Sequence, residues 1–188
     1  MKKSIIPVIL LVFLLLLCLP AKAGDRWTVG LNGSVPLNKW APDYSAGVEM
    51  SCFLLDAGPF RFGPGIGLFL AEPVYRPWDF SDDRSLYLPV FVRGVYIPEL
   101  GGRLKPFVAL DAGYTFDLIP PGEIEYNGRI NAMFFTPQAG LNLGKRFYAA
   151  LGVWCQWIAL HYIENGGEQI STRYELLPSL SMKLGVRF

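Results

Sequence analysis

Histidine occurs once in the 188 residues and cysteine three times. The lone imidazole, His161, is all that acid–base or nucleophilic catalysis by histidine has to build on. Cys52 and Cys155, the two cysteines beyond the N-terminal run, are too far apart for a disulfide framework or a metal-ligand cluster. After the first twenty or so residues no apolar run reaches the ~18 residues of a membrane-spanning helix. No comparable stretch carries a 3.6-residue period either, which removes amphipathic helices from the expectation. Charge is also scarce, at 18% of residues.

The N-terminus is a processing signal. "MKK" is a basic start, "SIIPVILLVFLLLLCLP" is apolar, and "AKA" before Gly24 has the A-x-A form of a cleavage site. Residues 1–23 are therefore expected to be a secretory signal peptide, and residues 24–188 the mature domain. Removal of Lys2, Lys3 and Lys22 leaves 14 basic against 16 acidic residues, a net charge of −2. No basic footprint for nucleic acid survives.

What the mature chain does contain is alternation. Eight segments place apolar residues at every second position, at 27–35, 44–54, 60–70, 85–96, 105–118, 134–144, 150–159 and 179–188. The last runs Leu180, Met182, Leu184, Val186, Phe188. The fifth runs Val108, Leu110, Ala112, Tyr114, Phe116, Leu118. Eight strands without helices predict an all-β fold: an eight-stranded antiparallel up-and-down barrel. Pro64, Pro89, Pro137 and Pro178 interrupt strand patterns and are expected at bulges or near the rim.

The chemistry of the second phase decides which way the apolar face points. A water-facing phase would be rich in Lys and Glu. Here it is mostly Gly, Ser, Thr, Asn and Gln, which suits the narrow lumen of eight strands. The apolar phase is therefore expected to face lipid, making this a transmembrane barrel. Isolated charges on the polar phase, Glu49, Arg61, Arg93, Asp111, Lys183 and Arg187, have mixed signs. They predict an internal charge network, because buried charges must be paired. Trp27, Tyr44, Tyr96, Tyr148, Trp157 and Tyr174 lie near strand ends and are the expected interface girdles.

Connection lengths agree. "DAGP", "IPELGGRL" and "KR" have at most 8 residues, and "PLNKWAPD", "AEPVYRPWDFSDDR", "IPPGEIEYNGRI" and "HYIENGGEQISTR" have 8 to 14. Short periplasmic turns and long outer loops characterise outer-membrane barrels. On these residues, and above all on the final strand ending in Phe188, the mature chain resembles the OmpA/OmpX-like group of small outer-membrane barrels of Gram-negative bacteria. "SLYLPVFVRGVY" followed by "KPFVALDAGY" resembles the central hairpin of compact members. The resemblance implies location in the Gram-negative outer membrane and contact with its lipid and lipopolysaccharide. It also implies that Phe188 ends a signal read by the barrel-assembly machinery.

Function is less legible. "LHYIENGG" resembles the His-Tyr-Ser-Asn stretch of PagL-like lipid A deacylases, and Glu175 follows His161 at a similar spacing. Ile163, however, occupies the nucleophile position, and Ser171 or Thr172 would serve only if the connection folded back. Glu175 falls on the inward phase and His161 on the outward one, so a triad lacks its geometry. Asp79, Asp82 and Asp83 offer carboxylates to a cation but lack a Gly-punctuated loop of the EF-hand type. The expectation is a monomeric, non-enzymatic barrel, structural or binding an extracellular ligand through its loops, with no cofactor and no metal. A deacylase centred on His161 and a narrow pore are the alternatives.

Overall fold

The computed structural model describes residues 26–37, 44–72, 85–100, 104–119, 132–164 and 169–188. Strand segments are β1 (Trp27–Pro36), β2 (Tyr44–Cys52), β3 (Leu55–Ala57), β4 (Phe60–Glu72), β5 (Ser85–Tyr96), β6 (Leu104–Ile119), β7 (Ala132–Leu143), β8 (Phe147–Glu164) and β9 (Gln169–Arg187). Apart from β2 and β3, each pairs antiparallel with its sequence neighbour, and β1 pairs with β9. Both β2 and β3 pair with β4, so they are two parts of one barrel strand. The result is a closed eight-stranded up-and-down barrel. Closure satisfies the backbone of every strand without leaving an edge.

Alternation sets the two surfaces. Leu31, Ile66, Val92, Leu110, Phe135, Leu151, Leu180, Met182 and Leu184 are exposed on the outside. The intervening positions are buried in the lumen, polar ones such as Thr28, Asn32, Ser51, Gln138, Asn142 and Ser181 among them. In water this exterior would be one large apolar patch, far beyond what a soluble monomer shows. In lipid it is the complementary surface. Tyr44, Tyr96, Trp157 and Tyr174 are exposed. Tyr148 is a correction to the girdle set: it is buried in the lumen, with its ring edge-on to Phe107.

The prolines divide. Pro64 stands where β2 gives way to β3 and the register against β4 shifts by one residue. It is the residue without an N–H at a bulge. Pro89 and Pro137 instead coincide with two-residue gaps in the β4–β5 and β7–β8 ladders, with the register unchanged on either side. Pro178 pairs with Cys155 within the ladder.

The last hairpin is longer than the sequence pattern indicated. β8 and β9 pair as far as Glu164 opposite Gln169, so most of "HYIENGGEQISTR" continues the ladder. The apolar–polar alternation that marks a half-buried strand fades beyond Trp157, although the β pairing persists. Strands of 18 and 19 residues exceed the ~9–11 residues needed to cross a bilayer. This hairpin therefore continues beyond the membrane. The two ends of the barrel differ accordingly: Trp27, Phe188 and the short turns share one end, which is the periplasmic end in barrels of this kind.

Candidate functional site

Four charged side chains meet in the middle of the lumen. Arg93 on β5 lies directly opposite Asp111 on β6. Its Nε and Nη2 donate to Asp111 Oδ1 and Oδ2 at 2.7 and 2.8 Å, a bidentate fork. Nη2 also reaches Glu49 Oε1, on β2 across the lumen. Lys183 on β9 completes the ring, 2.6 Å from Asp111 Oδ2 and 3.0 Å from Glu49 Oε2. Two cations and two anions therefore neutralise each other. All four are buried, at 1% exposure for Glu49, Asp111 and Lys183 and 4% for Arg93.

Neutral groups finish the coordination. Asn32 Nδ2 donates to Glu49 Oε2 at 3.3 Å, and Arg93 Nη1 donates to Ser51 Oγ at 3.3 Å. Ser51 Oγ is 2.7 Å from Thr28 Oγ1. These partners come from β1, β2, β5, β6 and β9, so the cluster ties opposite walls of the barrel together.

Aromatic layers close the lumen on both sides of the charges. Toward the long-connection end, Phe69, Tyr87, Phe91, Phe134 and Trp154 form one buried cluster. Phe134 stacks on Trp154 with ring centroids 4.3 Å apart, and Phe69 packs against both Tyr87 and Trp154. The Phe91 ring joins this layer to the charges, 5.1 Å from Arg93 Cζ and 6.0 Å from Lys183 Nζ, within cation–π range. Toward the short-turn end, Phe53, Val95, Phe107, Tyr148 and Ala150 form the second layer. A space of about 20 Å³ remains beside Thr28, Arg93, Gln138 and Tyr148, room for about one water.

Glycine makes these layers possible. A Cβ at Gly65 would meet the Phe91 ring, one at Gly140 the Phe107 ring, and one at Gly30 or Gly185 the Tyr148 ring. The small residues of the inward phase are thus the sockets for large rings on neighbouring strands. The aromatic filling was missed in the sequence because each ring stood alone among Gly, Ser and Thr. The glycines opposite were the available signal.

Two of the six charges expected in the network lie apart from it. Arg61, at the start of β4, has Nε 3.2 Å from Asp56 Oδ2 on β3. Arg187, at the end of β9, donates from Nη2 to Asn142 Oδ1 at 3.1 Å. Both line the open vestibule at the short-turn end instead. The reason is axial position: inward phase fixes the face, but only residues at one height along the barrel can touch.

The backbone register pairs His161 with Thr172 and Glu175 with Ile158, positions of opposite phase. The side chains of all four lie outside the described residues, as does that of Ser171. So do Asp79, Asp82, Asp83 and the whole of residues 1–23. Among the described residues no cluster of His, Cys, Asp and Glu could hold a metal ion, and Cys52 and Cys155 are free thiols.

No family model matches this sequence, and no curated protein sequence matches it either. Solved structures do match in fold. The N-terminal β-barrel domain of Pseudomonas aeruginosa OprF has a TM-score of 0.52 at 13% identity, over 88% of this chain and 98% of that one. The outer-membrane protein AlkL, solved in lipid bilayers, gives 0.50 at 14% identity, over 90% and 93%. Outer Membrane Protein W of E. coli gives 0.48 at 11% identity, over 89% and 100%. The likeness to the OprF domain and to AlkL is one of fold. Together with the lipid-compatible exterior it defines the class: the chain is a small eight-stranded β-barrel of the outer membrane.

Proposed function

We propose that the protein is a non-enzymatic outer-membrane barrel, monomeric, that is structural or binds a ligand through its outer connections. The observation that carries this reading is the closed lumen. A neutral charge ring lies between two aromatic layers, and the space left beside it is the size of one water. A pore needs a continuous wetted path, and a barrel of eight strands has just enough interior for its own side chains. Planar-bilayer recording of the refolded protein is the test. No stepwise conductance is expected, and reproducible unitary steps would overturn the reading.

Opposite phases at His161 and Glu175 argue against a deacylase, since nucleophile, base and orienting acid must lie within hydrogen-bond reach. Lipid A from cells carrying the gene should keep its acylation pattern, and His161→Ala should change nothing. The domain reading is a signal peptide over 1–23 and a barrel over 24–188. Its surroundings are outer-membrane lipid and lipopolysaccharide. The strand ending at Phe188 is the segment offered to the assembly machinery. Its outward residues Leu180, Met182 and Leu184 are exposed, and Phe188 exchanges backbone hydrogen bonds of 2.8 and 3.1 Å with Trp27.

A further inference from the structure

The short-turn end of the barrel opens into a vestibule of about 880 Å³. Arg61, Lys105, Lys145 and Arg187 line it, and among the described residues Glu99 is the one carboxylate in the lining. Asp56, just outside, takes up Arg61 Nε. Among the described residues Arg61 Nη1 is buried without a hydrogen-bond partner, and no carboxylate pairs with Lys105 or Lys145. This contrasts with the neutral cluster deeper in the lumen, where every charge is matched.

We propose that this vestibule is a binding site for a phosphate-bearing anion. Arg61 Nη1 supplies a guanidinium donor suited to a phosphate oxygen, the charge of Arg187 stands beside it, and two ammonium groups add point charge. Asn142, already the acceptor for Arg187, supplies a neutral polar side chain to the lining. The size lies within the ~300–1,000 Å³ of small-molecule sites. The wall also carries Ile97, Pro98, Leu104 and Leu143, and the last two are exposed on the lipid-facing surface. Cationic lining and apolar rim therefore meet at membrane level. The phosphate can come from the headgroup of an anionic phospholipid in the adjoining leaflet or from a soluble phosphate.

The test uses the full barrel refolded in neutral maltoside micelles. One arm titrates inorganic pyrophosphate, and the other adds phosphatidylglycerol, with phosphatidylcholine as its control. NMR shifts are followed at the Arg61 and Arg187 side-chain Nε–H groups and at the Lys145 amide. Saturable shifts at these groups in either arm are expected, weakened at least tenfold in Lys105→Gln/Lys145→Gln. Response to pyrophosphate assigns a soluble phosphate, and response to phosphatidylglycerol alone assigns the headgroup. Heat-modifiable migration on gels checks that the variant is folded, and single Lys145→Gln, on an exposed turn, replaces the double variant if it is not. No saturable shift in either arm, or affinity kept within twofold in the folded variant, overturns the proposal.

Discussion

Arg93 and Lys183 stand on the inward phase in the middle of the barrel, and Arg61 and Arg187 stand on the same phase at its short-turn end. Phase gives all four the same orientation, yet their surroundings differ. The middle pair faces two carboxylates in a space closed above and below by aromatic rings. The end pair lines an open vestibule where cations outnumber acids. A charge without solvent must be matched inside the protein, whereas a charge at a wet mouth is stabilised by water. Depth along the barrel, more than residue type, therefore separates charges locked in a balanced buried cluster from charges that line a wet mouth.

The largest effect should come from unbalancing the buried cluster. Asp111→Asn removes one anion and leaves Arg93 and Lys183 sharing Glu49. Breaking a buried ion pair on one side costs about 3–5 kcal/mol, so the urea midpoint of the refolded barrel should fall sharply. A loss below about 1 kcal/mol would mean that water or ions reach the cluster, and the contrast with the mouth would collapse. The paired change Glu49→Gln with Lys183→Met should cost less than the sum of its single changes, because the charge balance is kept.

Next in size is Trp154→Ala, which empties the layer where Trp154 stacks on Phe134. Truncating a buried aromatic costs about 3–5 kcal/mol, with a collapsible site at the low end. Conductance should remain absent, since the charge ring and the Phe107–Tyr148 layer still close the lumen. Stepwise current from this variant would show that one aromatic layer alone makes the seal.

Much of this was legible beforehand, and for a physical reason. A period of two carries the face of every residue, so Glu49, Arg93, Asp111 and Lys183 could be assigned inward from sequence. Their mixed signs predicted a network, but register is a long-range property set by closure and bulges, so which charges meet, and the separation of Arg61 and Arg187, could not be read. Tyr148 shows the same limit: its position near a strand end fitted a girdle, yet its phase sends it inward over Gly30 and Gly185. The extension of the last hairpin to Glu164 was hidden because its alternation fades where backbone pairing continues.

A moderate effect is expected at the Tyr148 socket. Gly185→Ala places a methyl against the Tyr148 ring, and overpacking of this kind costs about 1–3 kcal/mol. Combining it with Tyr148→Ala removes the obstacle, so the methyl should then add no further loss. An undiminished penalty in the double variant would place the strain in the backbone, where Gly30 and Gly185 face each other across β1 and β9.

The smallest effect sharpens the comparison most directly, because it applies one substitution at two depths. Lys183→Gln leaves Glu49 and Asp111 with Arg93 as their common cation in a closed space, and its cost should approach that of Asp111→Asn. Lys105→Gln makes the same chemical change on an exposed side chain with no carboxylate partner among the described residues. Its stability should stay within about 0.5 kcal/mol of the parent, as for surface changes away from caps and networks. The anion titration should nonetheless weaken in Lys105→Gln, and added salt should weaken it further, because these charges are screened by solvent. Urea midpoints and shift titrations on the two variants separate the cases. The buried lysine should move stability, and the mouth lysine should move binding alone. Equal losses of stability would mean that the mouth is as closed as the centre, and the division of inward charges by depth would fail.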